Sequence, residues 1–380
     1  MRRMGREEKL GVPFVDLRAQ HHGIRQELDQ AVQDVIESTA FVLGPAVQDF
    51  ESDFAQYLGV DHAVGTNNGT TALQLALLAL GVGEGDEVIV PAQTFIATAE
   101  AVVHVGARPV FVDVLEPTAC MDPAALASAV TPRTRAIVPV HLFGQAAELD
   151  SILDVARARG IPVVEDACQA HGATYHGRRV GTFGIASCFS FYPGKNLGAF
   201  GEGGAVVTND AHLASRVRRL RDHGQSQRYH HAEIGYNARM EGIQGAVLSV
   251  KLRYLDRWNE ARRAHAAYYR EWLEGSGVRL PVEAPRREHV YHLFVVRSED
   301  RNILREHLTH QGIQTGLHYP VPLHLQPAFS AMGYRPGAFP AAEAWAKQAL
   351  SLPMFAELTR AQLDEVIEGV KSHSLVANIR

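Results

Sequence analysis

The chain has 380 residues, of which 46% are hydrophobic and 21% are charged, and its formal net charge at pH 7 is −5. Such a composition can bury a large core, and the length suits one large domain together with one smaller domain. The net charge is negative and no block of basic residues stands out, so neither nucleic-acid binding nor binding to an anionic membrane is supported.

The sequence also gives no sign of export or membrane insertion. The first residues, MRRMGREEKLG, are charged and lack the apolar region of a secretory signal, and no run of about 18 apolar residues occurs. The three cysteines are scattered and have no C-x-x-C spacing. We therefore expect a protein of the reducing cytoplasm.

Two predicted helices open the chain. Apolar residues recur at helical spacing in residues 24–39 and again from Val47 to Tyr57, after which Gly59 ends the pattern. HAVGT then predicts a short strand, NNGT a turn, and TALQLALLALG a helix that ends at Gly81. This order places the N-terminus of a helix just after a strand.

Strands and helices then alternate as far as Asp166. The predicted strands EVIVPA, RPVFVDV, RAIVPVH and IPVVEDA are separated by helical patterns. Each strand is a continuous apolar run, which is typical of strands covered on both faces. The sequence therefore predicts an α/β fold with a mostly parallel sheet between layers of helices. Ligands of such sheets bind at the carboxyl ends of the strands.

The pattern changes in the last third of the chain. ASCFSF and GGAVVTN predict further strands, and the polar stretch QSQRYHHAEIGYN leads to a long predicted helix from about Met240 to Leu273. From about Val278 the pattern indicates a smaller α+β unit. We therefore predict a large domain at residues 1–250, including an N-terminal helical segment, and a small domain at residues 251–380.

One lysine, Lys195, lies among five glycines in SFYPGKNLGAFGEGG. A single lysine in such a loop is usually a solvated side chain. A phosphate-binding P-loop requires G-x-x-x-x-G-K-[ST], but here Asn196 follows the lysine and Phe189 stands five positions before Gly194. The later glycines do not form G-x-G-x-x-G, and a strand follows them rather than a helix. A lysine that forms a Schiff base with a cofactor remains.

Pyridoxal phosphate (PLP) is the usual partner of such a lysine, and its ring makes two demands. A fixed carboxylate has to keep the ring nitrogen protonated, and Asp166 in VVEDACQA follows an apolar strand. Gln169 could donate a hydrogen bond to the ring oxygen. The ring face needs an aromatic or apolar cover, which Phe95 in PAQTF could provide. Taken alone, Asp166 could equally cap a helix, and Phe95 could belong to the core.

The phosphate of PLP makes a third demand. Backbone N–H groups at a helix N-terminus suit an anion, and in NNGTTALQLALLAL a helix opens at Gly69, Thr70 and Thr71. Ser190, five residues before Lys195, could add a hydroxyl. Ordinary helix capping explains the turn equally well on its own. The order of the candidates, all at strand ends of one sheet, is what favours a PLP site.

Six segments of the chain resemble one enzyme family. They are GTNNGTTAL, PAQTFIAT, VEDACQAHGA, SFYPGKNLGAFGEGG, GYNARMEGIQGAVL and LHYPVPLHLQPAF. In this order they resemble the DegT/DnrJ/EryC1/StrS family of PLP-dependent aminotransferases, which act on keto sugars, mostly linked to nucleotides. The resemblance runs from about Pro13 to Leu363 and implies the aspartate aminotransferase-like fold, PLP fold type I.

The resemblance also implies roles for the cofactor residues. Lys195 matches the lysine that binds PLP covalently, Asp166 the partner of the ring nitrogen, and Gln169 the contact to the ring oxygen. Phe95 matches the stacking residue. The family's phosphate ligands correspond to Thr70 and Ser190, and to Asn237, which would reach the phosphate in the neighbouring subunit of a homodimer with shared active sites.

Within the family, the chain is most similar to 3-aminotransferases of 3-keto-6-deoxyhexoses linked to dTDP. This similarity implies L-glutamate as the amino donor and Tyr192, His318 and Tyr319 as residues that face the sugar nucleotide. Arg228 of the other subunit would meet the diphosphate. Transfer to C4 of a nucleotide sugar, or to a cyclitol ketone, remains an alternative.

Other functions are less well supported by the residues. Dehydratases of the same family carry histidine in place of the lysine, and a regulatory protein could lose site residues, none of which is lost here. The adjacent pairs His21–His22 and His230–His231 have no metal-ligand spacing, so we assign no metal.

Overall fold

The structure is a computed structural model that describes residues 11–377. The charged residues 1–10, to which the expectation of no secretory signal applies, lie outside the described residues. No helix within residues 11–377 is long and apolar enough to cross a membrane.

The helices and strands predicted from residue 24 to Asp166 occur in the predicted order. The helices are α1 (Leu17–His22), α2 (Arg25–Ser38), α3 (Pro45–Leu58), α4 (Gly69–Ala79), α5 (Ala97–His104), α6 (Pro123–Ala129), α7 (Leu149–Arg159), α8 (Ala211–Arg221), α9 (Gly242–Leu252), α10 (Leu255–Leu273), α11 (Arg301–His310), α12 (Pro340–Gln348) and α13 (Arg360–Ala377). The strands are β1 (His62–Thr66), β2 (Glu87–Pro91), β3 (Arg108–Val112), β4 (Thr134–Ile137), β5 (Val164–Asp166), β6 (Thr174–Tyr175), β7 (Arg178–Arg179), β8 (Ala186–Ser190), β9 (Gly204–Thr208), β10 (Gln225–Gln227), β11 (His230–His231), β12 (Arg287–Glu288), β13 (Phe294–Arg297) and β14 (Ala349–Leu352).

The central sheet has the strand order β3-β2-β4-β5-β8-β9-β1. The halves β3-β2-β4 and β5-β8-β9-β1 meet through parallel bridges from Ile137 to Val163 and from Val140 to Asp166. Strand β9 is antiparallel to both of its neighbours, whereas the other neighbouring strands are parallel. The predicted α/β fold with a mostly parallel sheet is therefore confirmed.

Helices cover both faces of this sheet, which explains the continuous apolar strands. Alternate residues of a strand point to opposite faces. Cys188 and Val206 belong to one buried cluster, whereas their neighbours Phe189 and Val207 belong to another. Because each face has its own core, polar side chains in the middle of these strands are buried and hydrogen-bonded, as Glu165 is to His141 and to the Gly181 N–H.

The prediction of one long helix from Met240 to Leu273 is wrong. Helix α9 ends at Leu252 and α10 begins at Leu255. The two helices pack on different neighbours, α9 on α2 and α3 and α10 on α13, so one straight helix could not serve both. The break lies close to the proposed domain boundary near residue 250.

The C-terminal part of the chain has a core of its own. Strands β13 and β14 pair antiparallel, and side chains of α10, α11 and α13 pack around them. Residues of this part also join the main core, among them Leu293, Trp345 and Phe329. The division into domains at residues 1–250 and 251–380 remains a proposal.

Candidate active site

The predicted site residues other than Arg228 and Asn237 lie at or near one edge of the central sheet. Asp166 is the last residue of β5, Ser190 the last of β8 and Thr66 the last of β1, and these three strands run in the same direction. Gly204, the first residue of the antiparallel β9, lies between Ser190 and Thr66 in the strand register. Their carboxyl ends therefore form one continuous rim.

The N-terminus of α4 lies on this rim. The side chain of Asn68 caps the helix and accepts a hydrogen bond from the Thr71 N–H at 2.8 Å. The backbone N–H groups of Gly69 and Thr70 have no acceptor among the described residues. Since the helix dipole adds positive potential here, the end of α4 can bind an anion.

Two glycines make this arrangement possible. A Cβ atom on Gly69 would lie 2.6 Å from Ser190 Cβ, and a Cβ atom on Gly204 would lie 2.3 Å from the Asn68 carbonyl oxygen. Only residues without a side chain allow the turn to lie this close to β8 and β9. The Ser190 hydroxyl is consequently held next to the end of α4.

Asp166 is a buried carboxylate with two protein donors. The Thr98 hydroxyl donates to Oδ2 at 2.8 Å, and the Cys168 N–H donates to Oδ1 at 3.2 Å. Its backbone is also fixed, because the Asp166 N–H donates to the Pro139 carbonyl and its own carbonyl accepts from His141 N–H. Asp166 therefore belongs to the strand end and does not cap a helix.

Lys195 lies in the loop between β8 and β9 and is half-buried. Burial lowers the pKa of its amine below the usual value, while nearby Cys168 and Asp166 oppose this shift. The loop is held by Asn196, whose side chain donates to Asn259 Oδ1 at 2.8 Å and to the Val290 carbonyl at 3.0 Å. A rigid amine with a lowered pKa is suited to nucleophilic and proton-transfer chemistry.

The buried Gln169 is hydrogen-bonded to an aromatic residue of the site. The Gln169 Nε2 donates to the Tyr319 hydroxyl at 3.0 Å, and the Gln169 Oε1 accepts from the Phe143 N–H at 2.7 Å. The Phe95 ring centroid lies 5.5 Å from that of Tyr319. Phe95 is 50% exposed and Tyr192 is 55% exposed, so neither is a core residue in the single chain. Both aromatic faces are open to a ligand.

His318 precedes Tyr319 and is half-buried. Its Nδ1 lies 2.8 Å from the Ser351 hydroxyl. Burial lowers the pKa of His318 to about 4, and Lys195 adds to the effect. The imidazole is therefore neutral at pH 7 and can offer a hydrogen bond without adding a charge beside Lys195.

Arg228 and Asn237 lie apart from these residues. Arg228 is exposed near the turn between β10 and β11, where its guanidinium lies 5.1 Å from the Tyr229 ring centroid. Asn237 is exposed, and its Oδ1 accepts from the Arg239 guanidinium at 2.8 Å. Within one chain, neither side chain contacts Lys195, Asp166 or Gln169 through a described interaction.

The sequence reasoning missed several residues that shape the site. Thr98 is one of them; its hydroxyl contacts Asp166, and Thr94 lies just before the helix that carries Thr98. Lys251 is another: it is fully buried, and its ammonium donates to the Gly198 carbonyl at 2.5 Å. Nothing in its local sequence marks Lys251, because its partner is 53 residues away.

These features fit PLP. The uncapped N–H groups of Gly69 and Thr70 with the Ser190 hydroxyl suit a phosphate, and the close approach at Gly69 brings them together. The buried carboxylate of Asp166 suits a protonated ring nitrogen, and the amine of Lys195 suits a carbonyl. The donor set contains each group that the cofactor requires.

Comparison with known proteins agrees with this chemistry. Residues 22–371 match the DegT/DnrJ/EryC1/StrS aminotransferase family. Over 367 residues the chain is 50% identical to a dTDP-3-amino-3,4,6-trideoxy-alpha-D-glucose transaminase of Streptomyces venezuelae, covering 96% of this chain and 97% of that protein. It is also 46% identical over 364 residues to a pleiotropic regulatory protein of Geobacillus stearothermophilus, covering 95% and 98% of the two chains.

A solved structure has the same fold. The crystal structure of S. venezuelae DesV in complex with a ketimine intermediate superposes with a TM-score of 0.94 at 49% sequence identity. The match covers 96% of this chain and 98% of the other. The similarity therefore extends over both the central sheet and the C-terminal part.

Proposed function

The chain belongs to the DegT/DnrJ/EryC1/StrS aminotransferase family of PLP-dependent sugar aminotransferases, and we propose that it moves an amino group from L-glutamate to C3 of a dTDP-linked keto-6-deoxyhexose. The observation that carries the proposal is the pairing of Lys195, with its lowered pKa, and the buried Asp166 at one sheet edge. The name of the Streptomyces venezuelae transaminase supports the sugar and the position of transfer.

The residues that would hold PLP follow from the site. Lys195 would bind it covalently, and Asp166 would keep a proton on the ring nitrogen. Gly69, Thr70, Thr71 and Ser190, at the end of α4 and of β8, would bind the phosphate. Phe95 would cover the ring, and Gln169 would donate to the ring oxygen. When bound, PLP supplies an electron sink for charge that develops beside the transferred nitrogen.

Lys195 would carry the protons of the reaction. An amine can accept a proton only in its neutral form, and burial makes this form more accessible by lowering the pKa of Lys195. The amine would take the proton from the α-carbon of glutamate in the first half of the reaction. In the second half it would donate a proton to the sugar carbon that receives the nitrogen.

The substrate would bind against the open side of the site. Tyr192 and Tyr319 offer aromatic faces and hydroxyl groups to a sugar or a base. His318 is neutral because burial lowers its pKa to about 4, and it would donate a hydrogen bond to a sugar hydroxyl or accept one from it. A neutral group is appropriate here, because a second cation would disfavour a protonated Lys195.

The diphosphate of the substrate needs a cation, which we assign to a second copy of the chain. Arg228 is exposed, and its neighbours Tyr229 and Ile234 are 77% and 92% exposed. Apolar side chains this exposed are typical of a surface that another chain covers. We therefore propose a homodimer in which Arg228 and Asn237 reach the site of the partner subunit, Arg228 toward the diphosphate and Asn237 toward the PLP phosphate.

A regulatory function is the alternative that the Geobacillus relative's name raises. A protein used only for regulation has no need of a buried carboxylate and a lysine of lowered pKa in one cleft. The presence of Lys195, rather than histidine, also favours transamination over dehydration of the sugar. No residue of the described chain favours a regulatory role specifically.

The test is an assay of the purified protein with PLP and L-glutamate. We expect glutamate to bleach the visible absorbance of the bound cofactor and an amino sugar to form from a dTDP-linked 3-keto sugar. The 4-keto isomer, the UDP-linked sugars and a cyclitol ketone should react at lower kcat/KM, and NMR of the product establishes the carbon that carries nitrogen. A C4 amine as the main product contradicts the assigned position.

Two lysine variants control this experiment. Lys195→Ala should abolish turnover and the cofactor absorbance that borohydride fixes to the protein, because no amine remains to bind the cofactor. Lys347→Ala, on an exposed residue of α12, should behave as wild type in both measurements. Wild-type turnover by Lys195→Ala would remove Lys195 from the mechanism.

A further inference from the structure

A pair of threonines stands behind the carboxylate of Asp166. Thr98 lies in the first turn of α5 and is 2% exposed, and its hydroxyl donates to Asp166 Oδ2 at 2.8 Å. Thr94 is 3% exposed, and its hydroxyl lies 3.2 Å from that of Thr98. The buried chain of contacts therefore runs from Thr94 through Thr98 to Asp166.

The direction of these hydrogen bonds follows from the number of protons. A threonine hydroxyl has one proton and can donate only once. Since Thr98 donates to Asp166, the contact between the two hydroxyls requires Thr94 to be the donor and Thr98 the acceptor. A hydroxyl that accepts one hydrogen bond becomes a stronger donor in the next, so Thr94 strengthens the contact from Thr98 to Asp166.

The other oxygen of Asp166 is held independently. Oδ1 accepts from the Cys168 N–H at 3.2 Å. With one donor on each oxygen the carboxylate plane cannot rotate, yet each oxygen keeps a lone pair for a further donor. Without Thr98 only the Cys168 contact would remain, and the plane would be free to turn about it.

We propose that Thr98 is a positioning residue of the transamination site, which orients the Asp166 carboxylate toward the PLP ring nitrogen and stabilises its negative charge. The proposal rests on the function proposed above, because Asp166 acts only through the cofactor. In this role Thr98 would act on the cofactor only through its hydrogen bond to Asp166.

The matched variants are Thr98→Val, which keeps the shape of the side chain and removes the hydroxyl, and Thr98→Ser, which keeps the hydroxyl. A hydrogen bond to a charged group corresponds to about a 10- to 100-fold effect. We expect Thr98→Val to weaken PLP binding to the apoprotein and to lower kcat by this factor while the KM for glutamate changes little. Thr98→Ser should stay within about threefold of wild type.

A second pair of measurements separates this role from a general loss of structure. The melting temperature of the apoprotein reports on folding, and the pH profile of the visible cofactor band reports on the ring environment. We expect Thr98→Val to shift the pH profile relative to Thr98→Ser. Thr94→Val, which removes only the outer hydroxyl, should shift it in the same direction by a smaller amount.

The outcomes distinguish failure of this proposal from failure of the proposed function. If wild type binds PLP and reacts with glutamate but Thr98→Val matches Thr98→Ser in PLP affinity, kcat and pH profile, the positioning role is wrong and the function stands. If wild type itself leaves glutamate and the cofactor band unchanged, the proposed function fails first. Should Thr98→Val not fold, an unchanged pH profile in Thr94→Val overturns the proposal.

Discussion

At the scale of single residues, the surroundings of Lys195 are notable for neutral imidazoles. Burial lowers the pKa of His171 to about 3 and that of His318 to about 4, and it lowers the pKa of His292 well below the usual value, with Lys195 as the second cause in each case. Three bases near the lysine thus stay uncharged at neutral pH. Among Lys195 and these three histidines, only Lys195 can carry a positive charge near Asp166 at neutral pH.

A buried histidine outside the site allows a test of acid stability. The Nδ1 of His289 accepts from the Tyr291 N–H at 2.9 Å, and the two rings stack with centroids 4.0 Å apart. Burial, and then Arg270, lowers the pKa of His289 to about 3. The backbone N–H of His289 donates to Glu283, so one carboxylate also faces this segment.

We predict that His289 makes the protein less stable in acid. As pH falls below 6.5, His289 becomes protonated in the unfolded chain, whereas in the folded protein it stays neutral until about pH 3. The free energy of unfolding therefore decreases progressively below pH 6.5. By pH 5.5 this loss reaches about 1 kcal/mol of the free energy of unfolding. His289→Asn, which keeps an acceptor for the Tyr291 N–H and does not titrate, should be less sensitive.

Urea unfolding at pH 7.5 and pH 5.5 measures this difference. The substitution His289→Asn also changes packing, so the stabilities of wild type and variant differ at any single pH. The decisive quantity is the change in the free energy of unfolding of each protein between the two pH values. An equal loss of stability in wild type and variant would show that His289 is protonated in the folded protein.

At the scale of elements, helix α4 combines a structural cap with a phosphate site. Asn68 satisfies Thr71 N–H, which leaves the N–H groups of Gly69 and Thr70 for a ligand. The cap and the anion therefore use different groups of the same helix end. A change of charge at Asn68 can separate the two functions.

We predict that Asn68→Asp keeps the helix but weakens binding of PLP. A carboxylate caps as well as an amide, so the melting temperature of the apoprotein should stay near that of wild type. The added negative charge would repel the phosphate and should lower PLP affinity by at least about tenfold. Equilibrium titration of the apoprotein with PLP measures the affinity.

Asn68→Ala is the control for capping. Its loss of the Thr71 contact should reduce the free energy of unfolding of the apoprotein by about 1 kcal/mol, without the repulsion that aspartate introduces. If Asn68→Asp bound PLP as tightly as wild type, the phosphate would lie elsewhere than at the end of α4.

At the scale of the whole molecule, one chain leaves the proposed site incomplete. Lys195, Asp166 and Gln169 come from the sheet edge, whereas Arg228 and Asn237 lie on an exposed segment near β10 and β11. A twofold dimer would place this segment of each chain on the other, because an isologous interface uses the same surfaces twice.

We predict that an inactive variant and a variant with weakened substrate binding complement each other. Lys195→Ala removes the amine from its own site, and Arg228→Ala removes the proposed diphosphate contact from the site of the partner subunit, which should raise KM for the sugar nucleotide. After mixing under conditions of subunit exchange, half of the dimers are mixed and each has one intact site, so about a quarter of wild-type activity should return at low substrate.

The control mixes Lys195→Ala with Asp166→Ala, both of which act in the same chain. Each site of that mixed dimer lacks one group, so no activity should return. Recovery equal to that with Arg228→Ala would contradict sites shared between subunits, and an unchanged KM in Arg228→Ala would remove its assigned contact with the diphosphate.

The predicted elements show how far local sequence reaches. Helices α2, α3 and α4 and strands β1, β2 and β5 form where the spacing of apolar residues predicts them. The long helix from Met240 to Leu273 was predicted wrongly, because periodicity continues through the turn at Arg253 and Tyr254, which contains neither glycine nor proline. A helix pattern does not record which neighbours each half will pack against.

The sequence by itself determined the α/β fold and the candidates Lys195 and Asp166, because apolar periodicity and the residues after each strand are local properties. Only the tertiary structure decided which distant groups meet. Thr98 contacts Asp166 across 68 residues, and Gln169 contacts Tyr319 across 150. These contacts depend on the order of strands in the sheet and on how the C-terminal part packs against it, and no short stretch of sequence encodes either.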